Sequence, residues 1–140
     1  MDAERFRNPP DAAIRDVLAT SRTVAVVGCS SDPSRDSHRI ARLLQQHGHR
    51  VVPVNPTETE VLGERCYPSL RDVPEPVDMV DVFRRPEFVA GIADDAIAVG
   101  ARILWLQLGV IDEAAALRAQ AAGLTVIMDR CPAIEYRRLF

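Results

Sequence analysis

No lysine occurs in this chain; all 17 basic residues are arginine. That absence excludes a P-loop lysine, a Schiff-base lysine and any other catalytic lysine. A basic excess is also missing. The net charge of −3 argues against nucleic acid as the main partner, since binding to a phosphate backbone requires a positive surface. No apolar stretch approaches the roughly 20 residues that a membrane helix needs. The opening MDAERFRNPPD lacks the basic-then-apolar build of a signal peptide. The expected setting is therefore the cytoplasm, with no membrane contact. Cysteine is sparse: Cys29, Cys66 and Cys131 form no C-x-x-C pair, and an odd number without a close pair suits free thiols in a reducing compartment. His38, His47 and His49 show no metal-ligand spacing. The last two flank Gly48 at a helix-to-strand turn and are expected to be solvated. No metal site is expected. Tryptophan occurs once, at Trp105, which reads as core or pocket wall and offers a single fluorescence reporter.

What is present is the build of one ordinary globular domain. The chain has 140 residues, of which 47% are hydrophobic and 26% charged, enough to bury a real core. Asn8-Pro9-Pro10-Asp11 starts a helix whose apolar face is Ala13, Ile14, Val17 and Leu18. Five apolar runs then read as strands: Thr23–Val27, Arg50–Val54, Val77–Phe83, Arg102–Leu106 and Leu124–Met128. Between them the apolar period switches to the helical one. Ile40, Leu43 and Leu44 mark a helix closed by Gly48, and Val89, Ile92, Ala93, Ala96 and Ile97 mark one ended by Gly100. Asp112 and Glu113 open another that Gly123 closes, and Ala133–Leu139 forms a short last helix. A short turn or helix is expected around Ser69–Val73. Continuous apolar strands alternating with helices predict a parallel sheet covered on both faces. With right-handed crossovers this is an α/β, doubly wound, five-stranded, Rossmann-like domain. It spans residues 1–140 as a single unit, with 1–20 as an N-terminal helical extension.

In such a sheet, ligands bind beyond the carboxyl ends of the strands. The segments leaving the strands here are GCSSDPSRDS (28–37), Asn55-Pro56, Arg84-Arg85-Pro86, Gln107-Leu108-Gly109 and Asp129-Arg130-Cys131. The first is longer and richer in hydroxyl and charged groups than a plain strand-to-helix turn requires. Gly28 permits a tight turn and close approach of a ligand. Ser37 or Asp36 is placed to cap the following helix, whose free N–H groups favour a phosphate. Ser30, Ser31 and Ser34 add hydroxyls, and Arg35 a charged fork. The plainer alternative is that the serines and Asp32 only build turns and caps. The dinucleotide fingerprint G-x-G-x-x-G is absent, and the second strand ends at Asn55 where an NAD site wants an acid for the ribose. Both features disfavour NAD. Arg84 and Arg85 suggest further phosphate charge, or simply a solvated surface.

The segments VAVVGCSSDPSRDSHRIARLLQQHGHRVVPVNP, VDMVDVFRRPEFV, WLQLGV and MDRCPAIEYRRL resemble the CoA-binding domain family of small bacterial and archaeal proteins. That family is similar to the N-terminal domain of the succinyl-CoA synthetase α subunit. The likeness runs from about Ser21 to Leu139. It implies a Rossmann-like domain that binds coenzyme A in the strand-end crevice. By position, it implies that Gly28, Ser30, Ser31 and Pro33 form the phosphate loop, followed by Arg35 and Ser37. Asn55 and Pro56 match the V-N-P turn. Phe83, Arg84, Arg85 and Pro86 match the segment lying along CoA, and Gln107 and Gly109 the loop after the fourth strand. Tyr136 departs from the resemblance, standing where a histidine is usual, and Cys29 stands where a plainer residue is common. The synthetase keeps its phosphohistidine and nucleotide site elsewhere, so the resemblance implies a module for CoA or acyl-CoA without ligase activity of its own.

Other residues invite chemistry. Cys29, beside a helix N-terminus, has a position where thiolate character rises, or it merely fills a tight turn. Cys131 is set among Asp129, Arg130 and Glu135, where an Asp–Arg ion pair fixing the turn is expected. Asp78 and Asp81 lie three apart on one strand and so face opposite sides. They are not a close acid/base pair, and Asp81 is expected to bond backbone. The competing functional reading is an enzyme, either an NAD(P)-binding oxidoreductase or a thiol enzyme using Cys29 or Cys131.

Overall fold

The computed structural model describes residues 5–140; residues 1–4, the start of the expected N-terminal extension, lie outside the described residues. Helix α1 (Asp11–Thr20) leads into β1 (Thr23–Val27), α2 (Asp36–Gln46) and β2 (Arg50–Val54). A two-stranded ribbon follows, β3 (Glu60–Val61) and β4 (Glu64–Arg65), and then a 3-10 turn at Leu70–Asp72. The alternation resumes with β5 (Met79–Val82), α3 (Val89–Ala98), β6 (Ile103–Leu106), α4 (Glu113–Ala121), β7 (Thr125–Met128) and α5 (Pro132–Leu139).

The main sheet has five strands in the order β2-β1-β5-β6-β7, all parallel. The fold is α/β, doubly wound and Rossmann-like, as the apolar runs predict. Strand alternation sends Val24, Val26, Met79, Ile103, Trp105 and Ile127 to the side packed by α1, α2 and α5. Ala25, Val27, Val80, Val82, Leu104 and Leu106 face the side of α3 and α4. The strand order reverses between β1 and β5, so the crevice favoured for ligands opens where their exit loops part.

Two differences from the sequence reading stand out. Val77–Phe83 narrows to β5, although the Phe83 N–H still donates to the Val27 carbonyl at 2.8 Å. The Asp78 carboxylate accepts the backbone N–H groups of Arg22 and Thr23 at 2.9 and 3.0 Å, which anchors the start of β1. The β3–β4 hairpin carried no recognised turn signal. Its two-residue loop has positive φ at both Leu62 (54°) and Gly63 (76°), the geometry usually supplied by Asn-Gly.

Candidate strand-end binding site

The β1–α2 loop is built by its own side chains. Ser37 Oγ accepts the Ser30 N–H at 3.0 Å, and Ser30 Oγ accepts the Asp32 N–H at 3.0 Å. Asp32 takes both the N–H and the hydroxyl of Ser34. The Ser31 N–H donates to the Glu58 carboxylate at 2.6 Å. Neither Ser37 nor Asp36 caps α2. The cap position is Arg35, which makes no capping bond, while Asp36 pairs with Arg39. The turn-building alternative therefore describes most of the hydroxyls, and Glu58 is a loop partner that sequence reasoning missed. Gly28 has φ +88°, and a Cβ there would lie 2.4 Å from the Phe83 carbonyl oxygen. Its freedom serves the packing of two exit loops against each other. Asn55 Nδ2 donates to the Cys29 carbonyl at 3.0 Å, and Asn55 Oδ1 accepts from Thr57. Where an NAD site would present an acid, this chain has an amide holding loop backbone.

Two cavities open at this edge and share Arg84. The smaller, about 230 Å³, lies toward α3 and is lined by Val27, Gly28, Val54, Pro56, Leu70 and Phe88 among others. The larger groove, about 670 Å³, runs toward α2 and α5. It gathers Phe83, Arg84, Arg85, Pro86, Gln107 and Gly109 from the predicted set. Ser30, Ser31, Pro33, Arg35, Ser37 and Asn55 line neither cavity. The groove adds residues that the sequence reading did not include: Arg39, Arg137, and the apolar Leu108 and Ile134, which are 54% and 42% exposed. Because α5 leaves β7 at the same edge, its first turns belong to the site. Reading only as far as Cys131 stopped short of them.

The charge of this groove is its chief property. Asp36 neutralises Arg39, whereas Arg84, Arg85 and Arg137 have no ion-pair partner among the described residues. The Arg84 guanidinium instead stacks over the Phe88 ring at 4.3 Å. Gln107 is only 6% exposed, and its Oε1 has no hydrogen-bond partner among the described residues. Behind it, Asp129 adopts φ 60° and accepts the Gly109 N–H at 2.8 Å, tying the β6 and β7 exits together. Arg130 pairs with buried Glu135 at 3.4 Å, so the expected Asp129–Arg130 ion pair does not form. The carboxylate of Asp129 is already committed to the neighbouring loop.

The remaining reactive candidates are internal. Cys29 is fully buried, and that burial pushes its thiol up to about 12, the opposite of the raised thiolate character expected at this position. Cys66 is buried and its thiol is also raised by burial. Cys131 is half-buried and lines the groove. Asp81, expected to bond backbone, is fully buried with neither oxygen hydrogen-bonded among the described residues, and burial raises its carboxyl well above the usual range. Trp105 is fully buried, donates to the Arg130 carbonyl at 2.9 Å and lines neither cavity. It is core. His49, expected to be solvated, is buried between the Ser21 carbonyl and the Tyr136 hydroxyl. His47 is exposed and stacks on Tyr136, with ring centroids 3.8 Å apart.

Known proteins are similar to this chain in sequence and in fold. The uncharacterized protein YneT of Bacillus subtilis (strain 168) is 40% identical over 126 residues, covering 90% of this chain and 93% of that one. The solved structure of a hypothetical protein from Pyrococcus horikoshii OT3 superposes with a TM-score of 0.91 at 36% identity, covering 98% and 99% of the two chains. The α subunit of an ADP-forming acetate–CoA ligase II from Pyrococcus furiosus is 33% identical over 75 residues, 53% of this chain but only 16% of the subunit. Residues 22–137 match the family described as CoA binding domain, and this chain is a member of the CoA binding domain family.

Proposed function

We propose that this chain binds coenzyme A or an acyl-CoA across the strand ends, with Arg84 between the two cavities, and that it has no ligase activity of its own. The observation that carries this reading is the groove itself. A protein of net charge −3 places three arginines without ion-pair partners among the described residues around one cavity at the switch in strand order. CoA combines a pyrophosphate and a ribose 3′-phosphate with a long amide-bearing arm. Arg84, Arg85 and Arg137 serve the phosphates together with the first-turn N–H groups of α2. The apolar cavity beside Arg84 receives the base, and the groove toward Gln107 receives the arm. A cytoplasmic setting, where CoA is held in reduced form, accords with three free thiols. Ligase chemistry needs a triphosphate-binding element, and a sequence without lysine offers no P-loop lysine for one.

Titration calorimetry tests the ligand. Each charge-assisted bond contributes roughly 1.5–3 kcal/mol, and about 1.4 kcal/mol is tenfold in affinity. CoA is expected to bind at least about tenfold tighter than dephospho-CoA, and NAD weakly or not at all. Equal affinity for CoA and dephospho-CoA removes the arginine assignment to the 3′-phosphate. Tighter binding of NAD than of CoA overturns the reading. Incubation with ATP or GTP, CoA and a panel of carboxylic acids is expected to give no acyl-CoA.

A further inference from the structure

We propose that Cys131 is a covalent docking point for CoA, forming a mixed disulfide with the ligand's thiol end. The inference rests on the CoA reading above and extends it from binding to thiol exchange. Three cysteines compete for such a role, and the fold separates them. Cys29 and Cys66 are buried in the core. Cys131 is half-buried and forms part of the groove wall together with Gln107 and Phe83.

An independent feature of the same groove points to what occupies it. Gln107 is an almost fully buried amide whose oxygen has no partner among the described residues. Buried polar groups are nearly always bonded, and an arm containing amides supplies the missing partner. Such an arm in CoA ends in a thiol, and the sulfur on the groove wall is Cys131.

The backbone around Cys131 is held in place. Trp105 Nε1 donates to the Arg130 carbonyl at 2.9 Å, the Arg130 N–H donates to Leu106 at 3.3 Å, and the Glu135 N–H donates to the Cys131 carbonyl at 3.0 Å. The thiol thus stands on a fixed turn at the start of α5 rather than on a mobile loop.

The reacting partner is CoA disulfide. The Cys131 thiol gives its proton to water, and its sulfur attacks one sulfur of the ligand. The old S–S bond breaks as the new one forms, and the second CoA leaves as a thiolate that takes up a proton. One disulfide replaces another, so no external oxidant is consumed. A small thiol such as dithiothreitol reverses the exchange by the same route.

Intact-protein mass spectrometry after incubation with CoA disulfide is expected to show one added CoA, removed by dithiothreitol. Peptide mapping of the wild-type adduct is expected to place it on Cys131, which avoids reliance on variants of the buried cysteines. Cys131→Ser is expected to take up none. Glutathione disulfide, which lacks the nucleotide end, is expected to react at least about tenfold more slowly, that factor corresponding to a single phosphate contact. The paired change Arg84→Gln with Arg85→Gln is expected to slow CoA disulfide toward the glutathione rate. An adduct on Cys29 or Cys66, or equal rates for the two disulfides, overturns the proposal. So does a wild-type protein that binds CoA but stays unmodified, and that outcome leaves the CoA reading standing. Failure of wild-type protein to bind CoA in calorimetry overturns both.

Discussion

Gly28 and Asp81 show how single positions in this sheet are constrained from opposite directions. At Gly28 two demands coincide: a left-handed backbone and no room for a Cβ beside the Phe83 carbonyl. Gly48 shares the positive φ, at +91°, but has nothing within 4 Å of a Cβ. Gly48→Ala is therefore expected to cost only the backbone strain, roughly 1–2 kcal/mol. Gly28→Ala is expected to cost clearly more, because the β1 and β5 exit loops must also separate. Urea denaturation of the two variants checks this, and equal losses would show that the Phe83 contact relaxes freely. At Asp81 the burden is electrostatic. The carboxyl sits between Val26 and Trp105 in the sheet register and is raised well above 3.8 by burial alone. A group whose native value exceeds its unfolded value keeps its proton in the fold while the unfolded chain loses it. Stability from this group is thus fully present below pH about 4 and declines as pH rises toward the folded value. The slope is at most about 1.4 kcal/mol per pH unit. Asp81→Asn does not titrate, so its stability relative to wild type is expected to improve steadily from pH 4 to 7. A constant difference across that range would mean that the native carboxyl titrates normally.

Helix α5 illustrates what an element gains from residues distant in sequence. Arg138 bridges the carboxylates of Asp11 and buried Glu135, joining the ends of the chain. Two residues earlier, Tyr136 reaches both His49 and the Leu18 carbonyl. His49 Nδ1 faces the Ser21 carbonyl at 2.8 Å, so Nδ1 carries the proton, and His49 Nε2 and the Leu18 carbonyl share the single proton of the tyrosine hydroxyl. Burial is the largest influence on His49 and lowers its value. The associated stability is present above the unfolded value near 6.5 and is lost as pH falls through the lower folded value. Thermal melts at pH 7.5 and 5 are expected to show that loss in wild type and not in His49→Gln; a parallel decline in both would reject the assignment. Tyr136→Phe is expected to cost about 1–2 kcal/mol at neutral pH through the unbonded Nε2. Little of this was legible in the sequence. A histidine beside a turn glycine reads as solvated, and no local pattern shows that position 136 returns to position 49. Elements set by local periodicity were legible: β1 and β2 match residue for residue, because β-branched runs and capping glycines act at short range. The site was legible as a set of exit loops, but the division of labour within them was not. The serines of 28–37 bond one another, Asp32 and Glu58, and Arg137 enters the groove from a helix that the strand-end reading had left out.

Across the whole molecule, the groove is where the two layers and the reversal in strand order meet. Its walls come from the loops leaving β5 and β6, from α2 and from the start of α5, segments spread along most of the chain, so an occupant adds contacts among parts far apart in sequence. A ligand that binds only the native state stabilises it by mass action, about 2.7 kcal/mol at a hundred times Kd. For a domain of this length that corresponds to a rise in Tm of roughly 6–12 °C. The arginines determine how this gain responds to conditions. Arg84 and Arg85 have no ion-pair partners among the described residues, and replacing them removes no salt bridge from the empty fold. Arg84→Gln with Arg85→Gln is therefore expected to leave the Tm of ligand-free protein within about 2 °C, since surface changes of this kind stay near ±0.5 kcal/mol. The same variant is expected to lose most of the CoA-induced rise. In wild type that rise is expected to shrink as salt increases from low to 0.5 M, because exposed phosphate–arginine pairs are screened. Differential scanning fluorimetry across salt and variant decides the matter. A CoA-induced rise insensitive to both salt and the double substitution would place the ligand's phosphates away from this groove.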